Sequence, residues 1–246
     1  MNLIIDFGNT QKKIAIFKDN ILIELKIFKK INLDHLIYFT KKYKDIDSVI
    51  ISSVVDYPDS FNSFFKGKFF FIKFNYKTSV PVLNKYKSPE TLGNDRLAAV
   101  VGANHLFPNK NILVIDAGTC IKYDFVNSKN EYLGGSISPG ISIRFKSLHT
   151  FTDKLPLINI QKYDKLIGQN TKESILSGVL NGTISEIDNI IEQYKKSFSS
   201  LKIILSGGDN IFLEKKLKNS TFANPNIVLI GLNKILEFNH KKDNSL

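Results

Sequence analysis

The sequence predicts an α/β protein built from two related halves, each a mixed sheet with flanking helices, facing each other across a cleft. Three observations carry this. Strand-like and helix-like stretches alternate along the chain, with no linker, low-complexity tract or long charge run between them. The 246 residues are enough for two domains of about 120 residues each. A short segment also recurs: Ile4-Ile5-Asp6-Phe7-Gly8-Asn9-Thr10 returns 110 residues later as Val114-Ile115-Asp116-Ala117-Gly118-Thr119. That period is too long for a solenoid and suits two copies of one domain, divided as 1–110 and 111–246.

The elements follow in order. Leu3-Ile4-Ile5 and Ile14-Ala15-Ile16-Phe17 read as two strands around a turn, and Ile21 to Phe28 as a third. Leu33 to Tyr43 is helix-like, Ser48 to Val55 a buried strand, and Phe69 to Phe74 a further strand. Leu97, Val100, Val101 and Leu106 share one face and predict a helix over Arg96 to Leu106. The second set opens with the apolar strand Ile112-Leu113-Val114-Ile115, then Lys122 to Val126 after a turn. A long helix is expected from Thr171 to Lys196, with Ile175, Leu176, Val179, Leu180, Ile184, Ile187, Ile190 and Ile191 on one stripe. Asn170 is its expected N-cap, and Glu173 completes a capping-box-like start. Gly178 and Gly182 each cost that helix about 1 kcal/mol against alanine, which points to a close neighbour. Ile203-Ile204-Leu205 is a strand ending at Ser206-Gly207-Gly208, and the basic tail from His240 reads as unstructured.

Composition excludes several classes. No apolar run approaches the ~18 residues of a membrane helix. Leu3-Ile4-Ile5 is too short for a signal peptide and runs straight into Asp6. One cysteine, Cys120, rules out an intrachain disulfide, fits a reducing cytoplasm and reads as a small buried filler. The net charge of +11 would suit a polyanion partner, but the only arginines are Arg96 and Arg144. Nucleic-acid readers rely on arginine for bidentate contacts, so the lysines read as solvated surface, with no nucleic-acid or membrane partner.

The repeated turn has a chemistry. A strand end puts the Asp carboxylate at the mouth of a sheet, glycine lets the backbone approach a ligand, and turn amides point at anionic oxygens. Asp6 can then hold Mg²⁺ bridging phosphates, directly or through water. One such turn alone would read as an ordinary hairpin. Two, with a third glycine turn at Ser206-Gly207-Gly208, favour a nucleotide. In Tyr86-Lys87-Ser88-Pro89-Glu90-Thr91-Leu92-Gly93-Asn94-Asp95-Arg96, Asp95 precedes a helix. Spacing alone does not separate its role as helix cap from that of general base taking a proton from a hydroxyl. Arg96 can bind a carboxylate or phosphate bidentately.

Taken together these residues resemble the type III pantothenate kinases, of the acetate-kinase, sugar-kinase and actin superfamily. The likeness is collinear from residue 3 to about 236. It runs through Asp6 to Lys13, Ile51-Ser52-Ser53-Val54-Val55, Pro89 to Arg96 (similar to P-x-x-x-G-A-D-R), Asp116 to Thr119 and Gly134-Gly135-Ser136-Ile137-Ser138-Pro139-Gly140. It continues through Thr152 to Pro156 and Gly168 to Thr171 and closes at Gly207-Gly208. The resemblance implies two duplicated ribonuclease-H-like domains across a nucleotide cleft. It also implies transfer of phosphate from ATP to the primary hydroxyl of pantothenate, the first step towards coenzyme A, by a cytoplasmic homodimer. It assigns Asp6, Phe7, Gly8, Asn9, Thr10, Gln11, Lys12, Lys13 and Thr119 to ATP, and Tyr86, Gly93, Asn94, Asp95, Arg96 and Thr171 to pantothenate. Asp95 would be the proton acceptor and Asp116 the holder of a K⁺ or NH₄⁺ ion. Asn94 stands for a usual alanine, Cys120 for another, Lys122 for a threonine and Ser206 for a threonine. Lys122 is the rival at Asp116, because its ammonium would make an added cation unnecessary. The competing readings are a kinase for another small acceptor and a nucleotide-switched regulator of the same fold.

Overall fold

The computed structural model describes residues 1–243. The chain divides into two compact units, one comprising Met1–Pro108, Lys129–Leu133 and the segment from Asn226, the other Asn109–Ser128 and Gly134–Pro225.

The first unit is a five-stranded sheet in the order β3-β2-β1-β4-β5. Its strands are β1 (Asn2–Phe7), β2 (Lys12–Lys18), β3 (Ile21–Phe28), β4 (Ser48–Ser53) and β5 (Phe70–Lys73). β1 to β3 are an antiparallel meander, and β4 and β5 run parallel to β1. One face is covered by α1 (Leu33–Lys42) and α2 (Ser60–Phe65), where Leu3, Ile5, Ile14, Ile16, Leu36, Phe39 and Ile51 form a fully enclosed core. α3 (Asn94–Leu106) and α7 (Ile227–Asp243) pack against each other and against the sheet. Their approach is so close that a methyl on Gly231 would lie 1.7 Å from the Ala98 carbonyl oxygen, and one on Gly102 2.3 Å from that of Ile227. Among the described residues, the stretch expected to be unstructured from His240 is helical instead. His240 to Asp243 are the last turn of α7, where the His240 ring stacks on Phe70 at 4.6 Å. The rest of that stretch, 244–246, lies outside the described residues. A two-residue strand, β6 (Leu83–Asn84), pairs parallel with Glu131 and Tyr132.

The second unit has the strand order β9-β8-β7-β10-β11, which is the first unit's order again. The strands are β7 (Ile112–Ala117), β8 (Cys120–Val126), β9 (Glu131–Pro139, which begins in the first unit), β10 (Lys202–Ser206) and β11 (Phe222–Ala223). α4 (Ile141–Thr150), α5 (Thr171–Ser197) and α6 (Asn210–Glu214) complete it. The apolar stripe of α5 packs Ile175, Leu176, Val179, Leu180, Ile187 and Ile191 against Leu113, Ile115 and Leu205. Asn170 caps α5 by accepting the Glu173 N–H at 2.9 Å, while the Glu173 carboxylate reaches one residue further back, to the Gln169 N–H. Gly178 and Gly182 are exposed, and beyond their own turns of helix nothing in the described chain lies within 4 Å of a methyl built on either. The close neighbour expected at these two glycines is not found within the described chain.

The duplication extends to register. Asp6 lies opposite Lys13 on the antiparallel neighbour and Ser52 on the parallel one. Asp116 lies opposite Lys122 and Ser206 in the same two senses. Each copy thus frames its aspartate between a lysine and a serine.

Candidate active site

In the first unit the turn after β1 is closed by the Gly8 N–H donating to the Gln11 carbonyl at 3.1 Å, and a methyl on Gly8 would crowd that oxygen at 2.9 Å. Asn9, Thr10 and Gln11 are exposed, Lys12 and Lys13 half-buried, and Lys12 Nζ donates to the Asn9 carbonyl at 3.2 Å. Phe7 faces the other way. It is buried, with its ring stacked on Tyr57 at 4.9 Å, so its backbone rather than its side chain belongs to the turn. Asp6 is 9% exposed, and its register neighbour Ser52 is fully buried with a hydroxyl that has no hydrogen-bond partner among the described residues. Buried polar atoms are nearly always satisfied. An orphan hydroxyl beside a carboxylate at a sheet mouth fits the outer sphere of a Mg²⁺ that keeps most of its waters.

The candidate acceptor motif gathers at the start of α3. Gly93 is the N-cap, which corrects the capping reading of Asp95: that residue sits inside the first turn, where its Oδ1 accepts the Arg96 N–H at 2.9 Å. A methyl on Gly93 would lie 2.7 Å from Asp95 Oδ1, so glycine there keeps the carboxylate in place. Asn94 Nδ2 donates to the Phe74 carbonyl at 3.1 Å and the Ser53 carbonyl at 3.4 Å, tying the helix start to the ends of β4 and β5. Arg96 is 6% exposed, and its guanidinium carbon lies 5.5 Å from the Tyr86 ring centre. Tyr86 in turn stacks on Tyr132 at 6.1 Å with an interplanar angle of 9°. A cation, an aromatic face and a carboxylate thus converge around one helix start. Tyr86, Gly93, Asn94, Asp95 and Arg96 are brought together; Thr171 belongs to the second unit, exposed at the first position of α5. A cleft of about 500 Å³, lined by Ser53, Tyr57, Lys73 and Asn94, opens at the end of β4.

In the second unit the turn Asp116 to Thr119 is gripped by two other glycine turns. The Gly118 N–H donates to the Cys120 carbonyl at 3.0 Å and the Gly140 N–H to the Thr119 carbonyl at 3.1 Å. A methyl on Gly140 would lie 2.0 Å from the Gly118 carbonyl oxygen. Gly207 has φ +90°, open to glycine at little cost, and a methyl there would meet the Ala117 carbonyl at 2.1 Å. Cys120 is a free thiol and half-buried. Lys122 Nζ lies 2.6 Å from Asp116 Oδ2, each side chain 18% exposed.

Sequence reasoning missed the brace behind this turn. Glu186 of α5 accepts Tyr123 OH at 3.0 Å and Ser138 Oγ at 2.6 Å on Oε1, and Arg144 Nη2 at 2.5 Å on Oε2. Arg144 Nε donates to the Pro139 carbonyl at 2.8 Å, immediately before Gly140. Burial pushes the Glu186 carboxyl up, but the hydrogen bonds from Ser138, Arg144 and Tyr123 outweigh it and hold the group below its ordinary value. Burial first, and Glu186 second, push the Tyr123 phenol well above its ordinary value. The rarity of arginine was the one available signal, since Arg144 is one of two.

Residues 2–193 match the family model for type III pantothenate kinase. The chain is 45% identical over 240 residues to the type III pantothenate kinase of Christiangramia forsetii, covering 97% of this chain and 99% of the relative. It is 42% identical over 245 residues to that of Flavobacterium johnsoniae, covering 99% and 100%. Among solved structures, a conserved Baf family protein from Campylobacter jejuni superposes with a TM-score of 0.62 at 22% identity, covering 97% of this chain and 99% of that one. A glucokinase from an Antarctic psychrotroph gives 0.55 at 13%, covering 96% and 98%. At these identities the two structures speak to the fold alone, an α/β architecture of two mixed sheets with flanking helices.

Proposed function

The chain belongs to the type III pantothenate kinase family, and we propose from that premise how its own residues carry the reaction. The enzyme transfers the γ-phosphoryl group of ATP to the primary hydroxyl of pantothenate, giving 4′-phosphopantothenate for coenzyme A synthesis. The observation that supports the residue assignment is the convergence of Asp95, Arg96 and Tyr86 at the start of α3. Asp95 accepts the hydroxyl proton as the oxygen attacks phosphorus and ADP departs. Arg96, held against the Tyr86 face, binds the acceptor carboxylate. Asn94 fixes the helix start, and Thr171 contributes from the first turn of α5. The turn Gly8 to Lys13 cradles phosphates with amides and lysines, and Thr119 contacts the nucleotide from its own glycine-gripped turn. Asp6 would be the protein carboxylate for a Mg²⁺ bound with ATP, which would neutralise the phosphates.

The finer expectations are also proposed. The exposed Gly178 and Gly182 on α5 leave room for a second copy, which supports a homodimer. No helix among the described residues is long and apolar enough to cross a membrane, and the single free thiol fits a cytoplasmic enzyme. The test is ADP release coupled to NADH oxidation, with pantothenate, acetate and a panel of sugars as acceptors. Release that depends on pantothenate is expected. Release with a sugar or acetate but not with pantothenate would overturn the acceptor assignment.

A further inference from the structure

The family resemblance places a free monovalent cation at Asp116, and the residues present do not fit one. The Asp116 carboxylate already carries an ammonium group, Lys122 Nζ, at 2.6 Å. We propose that Lys122 is a built-in monovalent cation, so that this kinase needs neither K⁺ nor NH₄⁺. The inference rests on the kinase reading above and concerns how its second phosphate turn is neutralised.

Three features set this pair apart from a surface salt bridge. First, it is fixed by backbone register. Asp116 and Lys122 are direct partners across the antiparallel β7–β8 pair, so the ammonium is delivered to the carboxylate by the same hydrogen bonds that make the hairpin. Second, both side chains are only 18% exposed. An incoming cation would have to displace an ammonium with little room to withdraw. Third, the pair flanks the turn that Gly140 and Gly207 hold in place, so its charge stands at a defined point beside Gly118 and Thr119.

The chemistry is that of NH₄⁺ with one hydrogen replaced by a carbon stem. Lysine keeps the unit charge and three N–H donors. Tethering makes occupancy independent of bulk concentration, since the cation is part of the chain. The first copy of the repeat has the same cross-strand placement, Asp6 opposite Lys13, so a lysine facing the turn aspartate is a property of both halves.

The experiment uses the full chain at fixed Mg²⁺ and ionic strength, with K⁺ replaced by tetramethylammonium. Wild-type ADP release is expected to be unchanged. Lys122→Thr should lose at least about tenfold in tetramethylammonium, the effect of removing one preorganised charge from a phosphoryl-transfer site. It should recover in K⁺, NH₄⁺ or methylammonium. A loss of that size in the wild type, or a variant whose loss no cation restores, would overturn the proposal. A second measurement does not depend on turnover: thermal unfolding of the nucleotide-free proteins. K⁺ in place of tetramethylammonium should raise the Tm of Lys122→Thr and leave the wild type where it was, because a ligand stabilises only the form that binds it. A wild-type Tm raised by K⁺ would overturn the proposal. Absence of pantothenate-dependent turnover in every salt would count against the kinase reading, while the unfolding comparison would still decide the role of Lys122.

Discussion

Replacing Glu186 by alanine removes the acceptor on which three donors from three elements converge. The largest effect comes from Tyr123, which is fully buried. Leaving a buried hydroxyl without an acceptor costs about 1–3 kcal/mol. The Arg144 pair adds about 1 kcal/mol, since its side chains are 22% and 27% exposed and solvent screens the charge in part. Ser138 is half-buried and adds less. The expected total is about 3 kcal/mol. At about 2–4 °C per kcal/mol for a chain of this size, the Tm should fall by about 6–12 °C in a circular-dichroism melt. Activity reports a second consequence. Arg144 loses the partner that orients it towards the Pro139 carbonyl, so Gly140 should seat less firmly against Thr119, and KM for ATP should rise more than kcat falls. The pH dependence has a definite sign. The carboxyl is held below its ordinary value of 4.5, so its contribution is complete above that value and is lost as pH falls through the lower, folded one. The stability gap between wild type and Glu186→Ala should therefore narrow at acid pH and stay constant above pH 6. A Tm within about 2 °C of wild type, less than the loss of one buried hydrogen bond would give, would refute the reasoning.

Asp95→Asn keeps an oxygen for the Arg96 N–H, so the fold should survive while turnover drops by about 10²-fold or more and ATP binding by calorimetry holds; near-normal turnover would reject the base assignment. Gly231→Ala would put a methyl 1.7 Å from the Ala98 carbonyl and force α3 and α7 apart. The cost should be about 1–3 kcal/mol, read as a lower urea midpoint at unchanged slope, and an unmoved midpoint would show that the crossing yields. Sedimentation should find a dimer at micromolar concentration, and a fully active monomer would remove the role given to the Gly178 and Gly182 face.

Much of the candidate site was legible because the chemistry proposed for it is local. Asp, Gly and hydroxyl residues at a strand end have few other reasons to recur, and Asp95-Arg96 before a helix keeps its spacing whatever the fold around it. The long stripe of α5 was legible for the same reason, since its period is a property of one segment. What failed was local reasoning applied to residues that long-range packing controls. The basic last turn of α7 reads from His240 as a tail, yet Gly231 fits the helix against Ala98, and His240 stacks on Phe70, 170 residues away in sequence.

The sequence by itself determined the α/β class, the duplication, the two aspartate turns and the candidate acceptor motif, because each is written in residues that are neighbours along the chain. Only the tertiary structure decided how they are charged and braced. Whether Asp116 meets its own lysine depends on the strand register, where a slip of one residue would turn Lys122 to the opposite face. Whether Glu186 holds Ser138, Tyr123 and Arg144 depends on α5 being placed within reach of β8, β9 and α4 at once. Register and helix placement are set by the burial of whole faces at once, and no short segment encodes that alone.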